Sequence, residues 1–124
     1  MADTEKACPC GSGQAYASCC EPLHLQQQVA QTPEQLMRSR YSAFALANAA
    51  YLMQTWHKST RPVLKLENNP EWVKLQVLSS SAKGNQGFVH FRAFYRDGEN
   101  LQMLDEKSRF VCEQGQWFYL DGDY

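Results

Sequence analysis

Four of the chain's five cysteines lie within thirteen residues, Cys8-Pro9-Cys10-Gly11-Ser12-Gly13-Gln14-Ala15-Tyr16-Ala17-Ser18-Cys19-Cys20. They form two close pairs, C-x-C and C-C, eight residues apart. Two such pairs on facing turns can supply the four thiolates of a tetrahedral zinc shell. Gly11 and Gly13 allow the tight turning this requires, and Pro9 fixes φ between the first two sulfurs. A pair of disulfides or a redox site are the competing readings. The start, Met1-Ala2-Asp3-Thr4-Glu5-Lys6, is polar and has no apolar secretory core. Adjacent cysteines such as Cys19 and Cys20 also bridge each other only under strain. The spacing therefore predicts one structural zinc held by Cys8, Cys10, Cys19 and Cys20, in a chain that is expected to be cytoplasmic. A shell closed by four thiolates leaves no position for water or substrate, which excludes hydrolysis at the zinc.

C-P-C-G-S-G-x-x-Y-x-x-C-C resembles the SEC-C motif, a small zinc module found at the end of the SecA translocation motor. The resemblance implies the same four ligands and a surface for a protein partner. The positions ahead of the second pair, Gln14, Ala15, Ala17 and Ser18, are neutral. With 12 basic and 13 acidic residues overall, the chain lacks the clustered positive charge that nucleic-acid binding needs. No apolar run approaches the roughly 20 residues that span a bilayer.

Residues 21 to 32 read as a polar connector with few anchors, so the cysteine module and the remainder of the chain are expected to be energetically separable. The predicted division is 1–24 for the module and 25–124 for the second domain. His24 reads as a packing or solvated residue rather than a fifth ligand. A helix begins with Thr32 as N-cap, Pro33 in the first turn and Gln35 as capping-box partner. Its stripe is Met37, Tyr41 and Phe44, with Gln35, Arg38 and Ser42 turned away, and it ends near Asn48. A second short helix runs from Ala49 to about Trp56. The period then changes to two. Val63–Leu66 reads as a short extended piece and Asn68–Pro70 as a turn. Four strands come next: Trp72–Ser79, Phe88–Arg96, Leu101–Glu113 and Trp117–Asp121. They are separated by turn residues at Lys83–Gly87, Asp97-Gly98 and Gln114-Gly115. Two helices on a curved, four-stranded antiparallel meander make an α+β fold.

That order is similar to the nuclear-transport-factor-2-like cone. Leu36-Met37-Arg38-Ser39-Arg40-Tyr41-Ser42-Ala43-Phe44, Tyr51-Leu52, Thr55-Trp56-His57, Ser108-Arg109-Phe110 and Gly115-Gln116-Trp117-Phe118-Tyr119-Leu120-Asp121-Gly122 resemble the YchJ family of bacterial proteins, which joins a SEC-C module to such a cone. The resemblance implies a fold and no settled activity.

Strand parity puts Leu104, Glu106, Ser108, Phe110 and Cys112 on one face of the third strand. A carboxylate among apolar neighbours is costly unless paired, and Arg40 is the expected partner, ahead of Arg38. His90 reads as a surface residue of its strand and Cys112 as a packed thiol. The first functional expectation is a zinc-binding adaptor for a protein partner, with no catalytic residues and with the oligomeric state left open. The alternative is a small-molecule enzyme in the cone, with Glu106 and His57 as acid and base. A cavity where Glu106 meets an imidazole would favour the enzyme.

Overall fold

The computed structural model describes residues 6–64, 66–67 and 69–123. Its frame is one antiparallel sheet in the order β1-β2-β3-β4, formed by Glu71–Lys83, Gln86–Asp97, Asn100–Glu113 and Gln116–Asp123. The expected meander is present, and its strands run longer than their apolar cores. The hairpin signals shrink accordingly: Lys83 pairs with Gln86 and Asp97 with Asn100, each across two residues, with Gly84 and Gly98 at positive φ. Val63, Leu64 and Leu66 belong to no strand. Lys65 and Asn68, which fall in the predicted extended piece and turn, lie outside the described residues.

Among the described residues three α-helices precede the sheet, α1 Glu21–His24, α2 Pro33–Ala45 and α3 Ala49–Gln54, after a single 3-10 turn at Tyr16–Ser18. Thr32 caps α2 as its sequence predicts, accepting from the Gln35 amide at 3.0 Å. The Gln35 side chain accepts from the Gln31 amide rather than from the cap residue itself. Ala47 takes φ 56°, which ends α2. Asn48 then opens α3, its side chain accepting from the Tyr51 amide at 3.1 Å. Asn48 is thus both the stop that the sequence suggests and an N-cap. The first turn of α2 sits on Gly87: a Cβ there would collide with Pro33 and Trp117.

Beyond α3 the chain runs along β4. The Tyr119 amide donates to Thr55 O at 2.8 Å, and the His57 amide donates to Tyr119 O at 2.7 Å. This covers the β4 edge at Tyr119, where an open sheet would leave it free for unwanted pairing.

Helix α2 is buried around more of its circumference than a single stripe allows. Leu36, Met37, Tyr41 and Ala43 are buried, and so are Ser39, Arg40 and Ser42. The cause is a second partner. The sheet covers one side of α2, and the cysteine module with α1 covers another. Cys8, Cys10, Cys20 and Leu23 belong to the same buried cluster as Leu36, Phe91 and Phe110. The expectation of a poorly anchored connector fails here, because Leu23 and Ala30 plug that segment into the core. Ser42, read as facing away, is fully buried against the thiols. No helix among the described residues is long and apolar enough to cross a membrane.

Burial holds the Tyr41 and Tyr51 phenols up at about 12. Their neutral forms are favoured in the folded state, while an unfolded tyrosine ionises near 10. Their contribution to stability is therefore complete below pH 10 and lost as pH rises toward 12. Burial raises the Tyr16 phenol as well, so an ultraviolet titration of the native protein is expected to show three of the six tyrosines ionising late, Tyr41 and Tyr51 among them. Ionisation of all six together near pH 10 would contradict this burial.

Candidate functional site

The first site is the cysteine cluster. The four Sγ atoms lie within 4.8 Å of one another. Cys10 to Cys19 is 3.7 Å and Cys19 to Cys20 is 3.9 Å. A tetrahedron of sulfurs around zinc, with bonds of about 2.3 Å, has edges of about 3.8 Å, so these separations suit a single ion. Gly11 and Gly13 take φ 78° and 86° to make the turn. The Cys8 amide bonds to Gln14 O, and the Tyr16 amide to Lys6 O. The crowding alone polarises the thiols. Hydrogen bonds from Cys10 and Cys20 pull Cys8 far below its ordinary range. The same contacts, with burial, push Cys20 far above it. The cluster is compatible with metal binding. Cys112, the fifth cysteine, lies apart on β3, facing Trp117.

The cluster is tied directly to α2. The Ser42 hydroxyl donates to Cys20 Sγ at 3.2 Å and lies 3.4 Å from Cys8 Sγ. Arg38 donates to Cys10 O at 2.9 Å while pairing with Glu34 at 3.0 Å. His24 is no ligand. Its Nε2–H donates to Ser39 O at 2.8 Å, which leaves Nδ1 in the neutral ring to accept from the Tyr16 hydroxyl at 2.7 Å. That imidazole bridges the module and the helix.

The second site is a cavity of about 160 Å³ between α2, Trp56 just beyond α3, and the inner sheet face. Its apolar wall includes Tyr41, Phe44, Trp72, Phe91, Leu104 and Phe110. Two buried charges also line it, Arg40 and Glu106, each 5 % exposed. Glu106 stands on the inner face, as strand parity predicts, paired with Phe91 across the β2–β3 ladder.

The predicted Arg40–Glu106 ion pair is absent among the described residues, and so is one from Arg38. Arg40 instead reaches along its own layer. Its Nη1 donates to Leu52 O at 2.8 Å and to Thr55 Oγ1 at 2.7 Å. Its guanidinium carbon lies 5.0 Å from the Trp56 ring and 4.6 Å from the Tyr119 ring. The carbonyl and hydroxyl at the end of α3 take Nη1 and the Trp56 and Tyr119 rings flank the guanidinium, which draws it away from Glu106 and leaves its remaining N–H groups unused among the described residues. Burial pushes the guanidinium down to about 10, against the fields of Tyr119, Tyr51 and Glu106. Glu106 is held by neutral donors. Its Oε2 accepts from Ser108 at 2.6 Å and from the Tyr119 hydroxyl at 2.9 Å.

His57 is not part of this cavity. The Ser59 amide and hydroxyl both approach its Nδ1, at 3.1 and 2.7 Å, so Nε2 carries the proton of the neutral ring. That nitrogen faces Glu113 at 2.9 Å, and the ring packs against Phe118. Phe118 belongs to the opposite strand face from Tyr119. The Glu106/His57 acid–base pair is therefore corrected: the backbone bond from His57 to Tyr119 O turns the imidazole outward. His90 is a surface residue of the outer face, as expected, 2.8 Å from Asp105 and beside Arg92.

Sequence reasoning missed Tyr119 as the holder of Glu106 and Ser42 as the contact to the thiols. The first was recoverable, because Tyr119 pairs with Phe110 and so shares the inner face. The second depends on where the module docks, and no local pattern reports that.

Gly122 gives the Glu106 network a direct test. A Cβ at that position would fall onto the Glu106 carboxylate. Gly122→Ala is expected to displace Glu106 from Ser108 and Tyr119 and to destabilise the protein by about 1–3 kcal/mol, read by denaturant unfolding. An unchanged midpoint would mean that the carboxylate is not held there.

Both parts of the chain match known families. The model of the YchJ middle NTF2-like domain matches residues 32–122, and that of the SEC-C motif matches residues 6–22. The chain belongs to the YchJ family. A UPF0225 protein of Vibrio cholerae is 41 % identical over 125 residues, covering 95 % of this chain and 83 % of that one. A UPF0225 protein of Deinococcus radiodurans is 46 % identical over 119 residues, covering 94 % and 88 %. Among solved structures, a SEC-C motif containing protein from Rhodopseudomonas palustris superposes with a TM-score of 0.87 at 37 % identity, covering 94 % of this chain and 96 % of that one. A SEC-C motif containing protein from Psychrobacter arcticus gives 0.81 at 28 %, covering 98 % and 84 %. The α+β cone preceded by a cysteine module is thus the architecture of this YchJ family member.

Proposed function

We propose that this YchJ family member is a zinc-stapled cone that binds a small molecule in its cavity. The observation that carries the reading is the pair of buried, opposite charges left unpaired with each other in an aromatic-walled space of about 160 Å³. Buried charges are costly, and a cavity with a few convergent polar groups is the usual form of a ligand site. Cys8, Cys10, Cys19 and Cys20 hold zinc in this reading, and the zinc is structural: the sulfur spacing suits it, and four thiolates close its shell. The cone then binds without acid–base catalysis by Glu106 and His57, since no imidazole faces Glu106.

The test is ligand-detected NMR with neutral one-ring and two-ring fragments, on native protein and on Ala93→Leu. Ala93 is buried on the cavity wall, and a leucine there fills the space. One-ring fragments are expected to bind the native protein and to lose binding in Ala93→Leu. Fragment binding that survives Ala93→Leu would contradict the reading. Metal analysis of protein purified without chelator is expected to give about one zinc per chain. Less than about a tenth of an equivalent, with all thiols reduced, would remove the zinc from the account.

The adaptor role that the sequence puts first draws its support from the exposed run 11–14 at the tip of the module. A protein partner captured only while the metal is bound, and lost on substitution of Ser12 or Gln14, would bring that role forward.

A further inference from the structure

The polar groups left over in the cavity say more about its occupant than its size does. Arg40 uses both hydrogens of Nη1 on Leu52 O and Thr55 Oγ1; among the described residues its other guanidinium N–H groups meet no acceptor. The indole N–H of Trp56, which lines the same cavity, is buried and has no hydrogen-bond partner among the described residues. Glu106 uses Oε2 for both of its bonds, and Oε1 takes none among the described residues. The cavity therefore offers unused donors at Arg40 and an unused acceptor at Glu106, with the Trp56 ring in its wall. Of these, the Trp56 indole nitrogen is the one that is both buried and unpartnered among the described residues; the spare Arg40 and Glu106 atoms sit on the cavity wall, where a ligand that complements them takes the place of water.

Charge narrows the class. The cavity already contains one buried cation and one buried anion. A ligand of net charge would leave one of the three charges uncompensated in an apolar space, which is strongly unfavourable. Volume narrows it further, because a cavity of about 150 Å³ accommodates benzene. The space here thus suits one six-membered ring.

We propose that the occupant is a neutral, planar, one-ring molecule with a cyclic amide edge, an N–H beside a C=O as in a pyridone or a pyrimidinone. This rests on the reading of the cavity as a ligand site. The ring N–H donates to Glu106 Oε1, and the carbonyl accepts from Arg40, beside the Trp56 ring. The ring lies among Tyr41, Trp72, Phe91 and Phe110. A site built to hydrogen-bond a group discriminates strongly against analogues that lack it, because its own polar atoms are then left unpaired.

The experiment is a titration of the full chain, metal bound, followed by ¹H–¹⁵N NMR of the tryptophan indoles. Trp56→Phe assigns the Trp56 signal among the three tryptophans. The probes are 2-pyridone, 3-methyl-2-pyridone, N-methyl-2-pyridone and toluene. The two N–H pyridones are expected to give a saturable shift at the Trp56 indole. N-methyl-2-pyridone, equal in bulk to the 3-methyl compound, is expected to bind at least about tenfold more weakly. Glu106→Gln, which keeps the shape, is expected to weaken the N–H pyridones and to leave toluene unchanged. If toluene binds at least as well as 2-pyridone and N-methylation makes no difference, the amide class is wrong while the ligand cavity stands. If none of the four shifts the Trp56 indole, the cavity reading itself falls.

Discussion

With the proposed zinc held by the four cysteines, stripping it is expected to lower the melting temperature by on the order of 15 °C and to collapse the near-ultraviolet signal of Trp72 and Trp117. The size comes from linkage. Protein holding zinc at about a thousand times its dissociation constant is stabilised by about 4 kcal/mol, and each kcal/mol is worth about 4 °C in a domain of this size. The loss reaches the tryptophans because Cys8, Cys10 and Cys20 belong to the core cluster that contains Trp117 and against which Trp72 packs. Without the ion, four mutually crowded thiols remain beneath α2, and Cys8 and Cys20 rely on the Ser42 hydroxyl and neighbouring thiols as partners. Cys10→Ser is expected to reproduce the effect with no chelator present. A Cys10→Ser protein that melts within a few degrees of the native one would show that the module is an accessory to the fold, as its sequence alone suggests.

Arg40→Ala is expected to be the most damaging single change in the cone, at about 3–5 kcal/mol. It removes the donor that satisfies Leu52 O and Thr55 Oγ1 at the end of α3, takes the cation from the Trp56 and Tyr119 rings, and leaves Glu106 as the one charge on the cavity wall. The first two losses are local and the third is electrostatic, so a second variant separates them. Glu106→Gln alone is expected to cost less, because Ser108 and Tyr119 still bond a glutamine oxygen. In the Arg40→Ala, Glu106→Gln double variant the stranded charge is gone, and the combined loss is expected to fall short of the sum by about 1 kcal/mol or more. Strict additivity in urea unfolding would mean that the two charges do not sense each other across the cavity.

The fold was legible because local and global patterns agree. Thr32-Pro33 is a strong start signal for α2, and the two-residue turns set the registers that hold until bulges interrupt β1 against β2 and β3 against β4. Glu106 was legible as an inner-face acid for the same reason, since parity along a strand is rigid. Its partner was not. Arg40 lies within reach of several acceptors, and the choice between a carboxylate on the sheet and a carbonyl at the end of α3 depends on how α3 turns after Asn48. Ser42 escaped for a related reason. A serine on a helix reads as solvent-facing until a second body docks on that side, and here the cysteine module does so. His57 was misplaced by one backbone bond, the one to Tyr119 O, which turns its ring toward Glu113 and away from the cavity.

The most direct measurement is hydrogen exchange, residue by residue, on the protein with its metal and after chelation. If the cysteine module and the cone share one core through α2, chelation exposes the amides of Leu36 to Ala43 together with those of Cys8 to Leu23. Protection in β2 and β3 should fall by a comparable factor. Rapid exchange confined to residues 6–25, with α2 and the sheet as protected as before, would contradict the shared core and return the module to the status of a separate appendage.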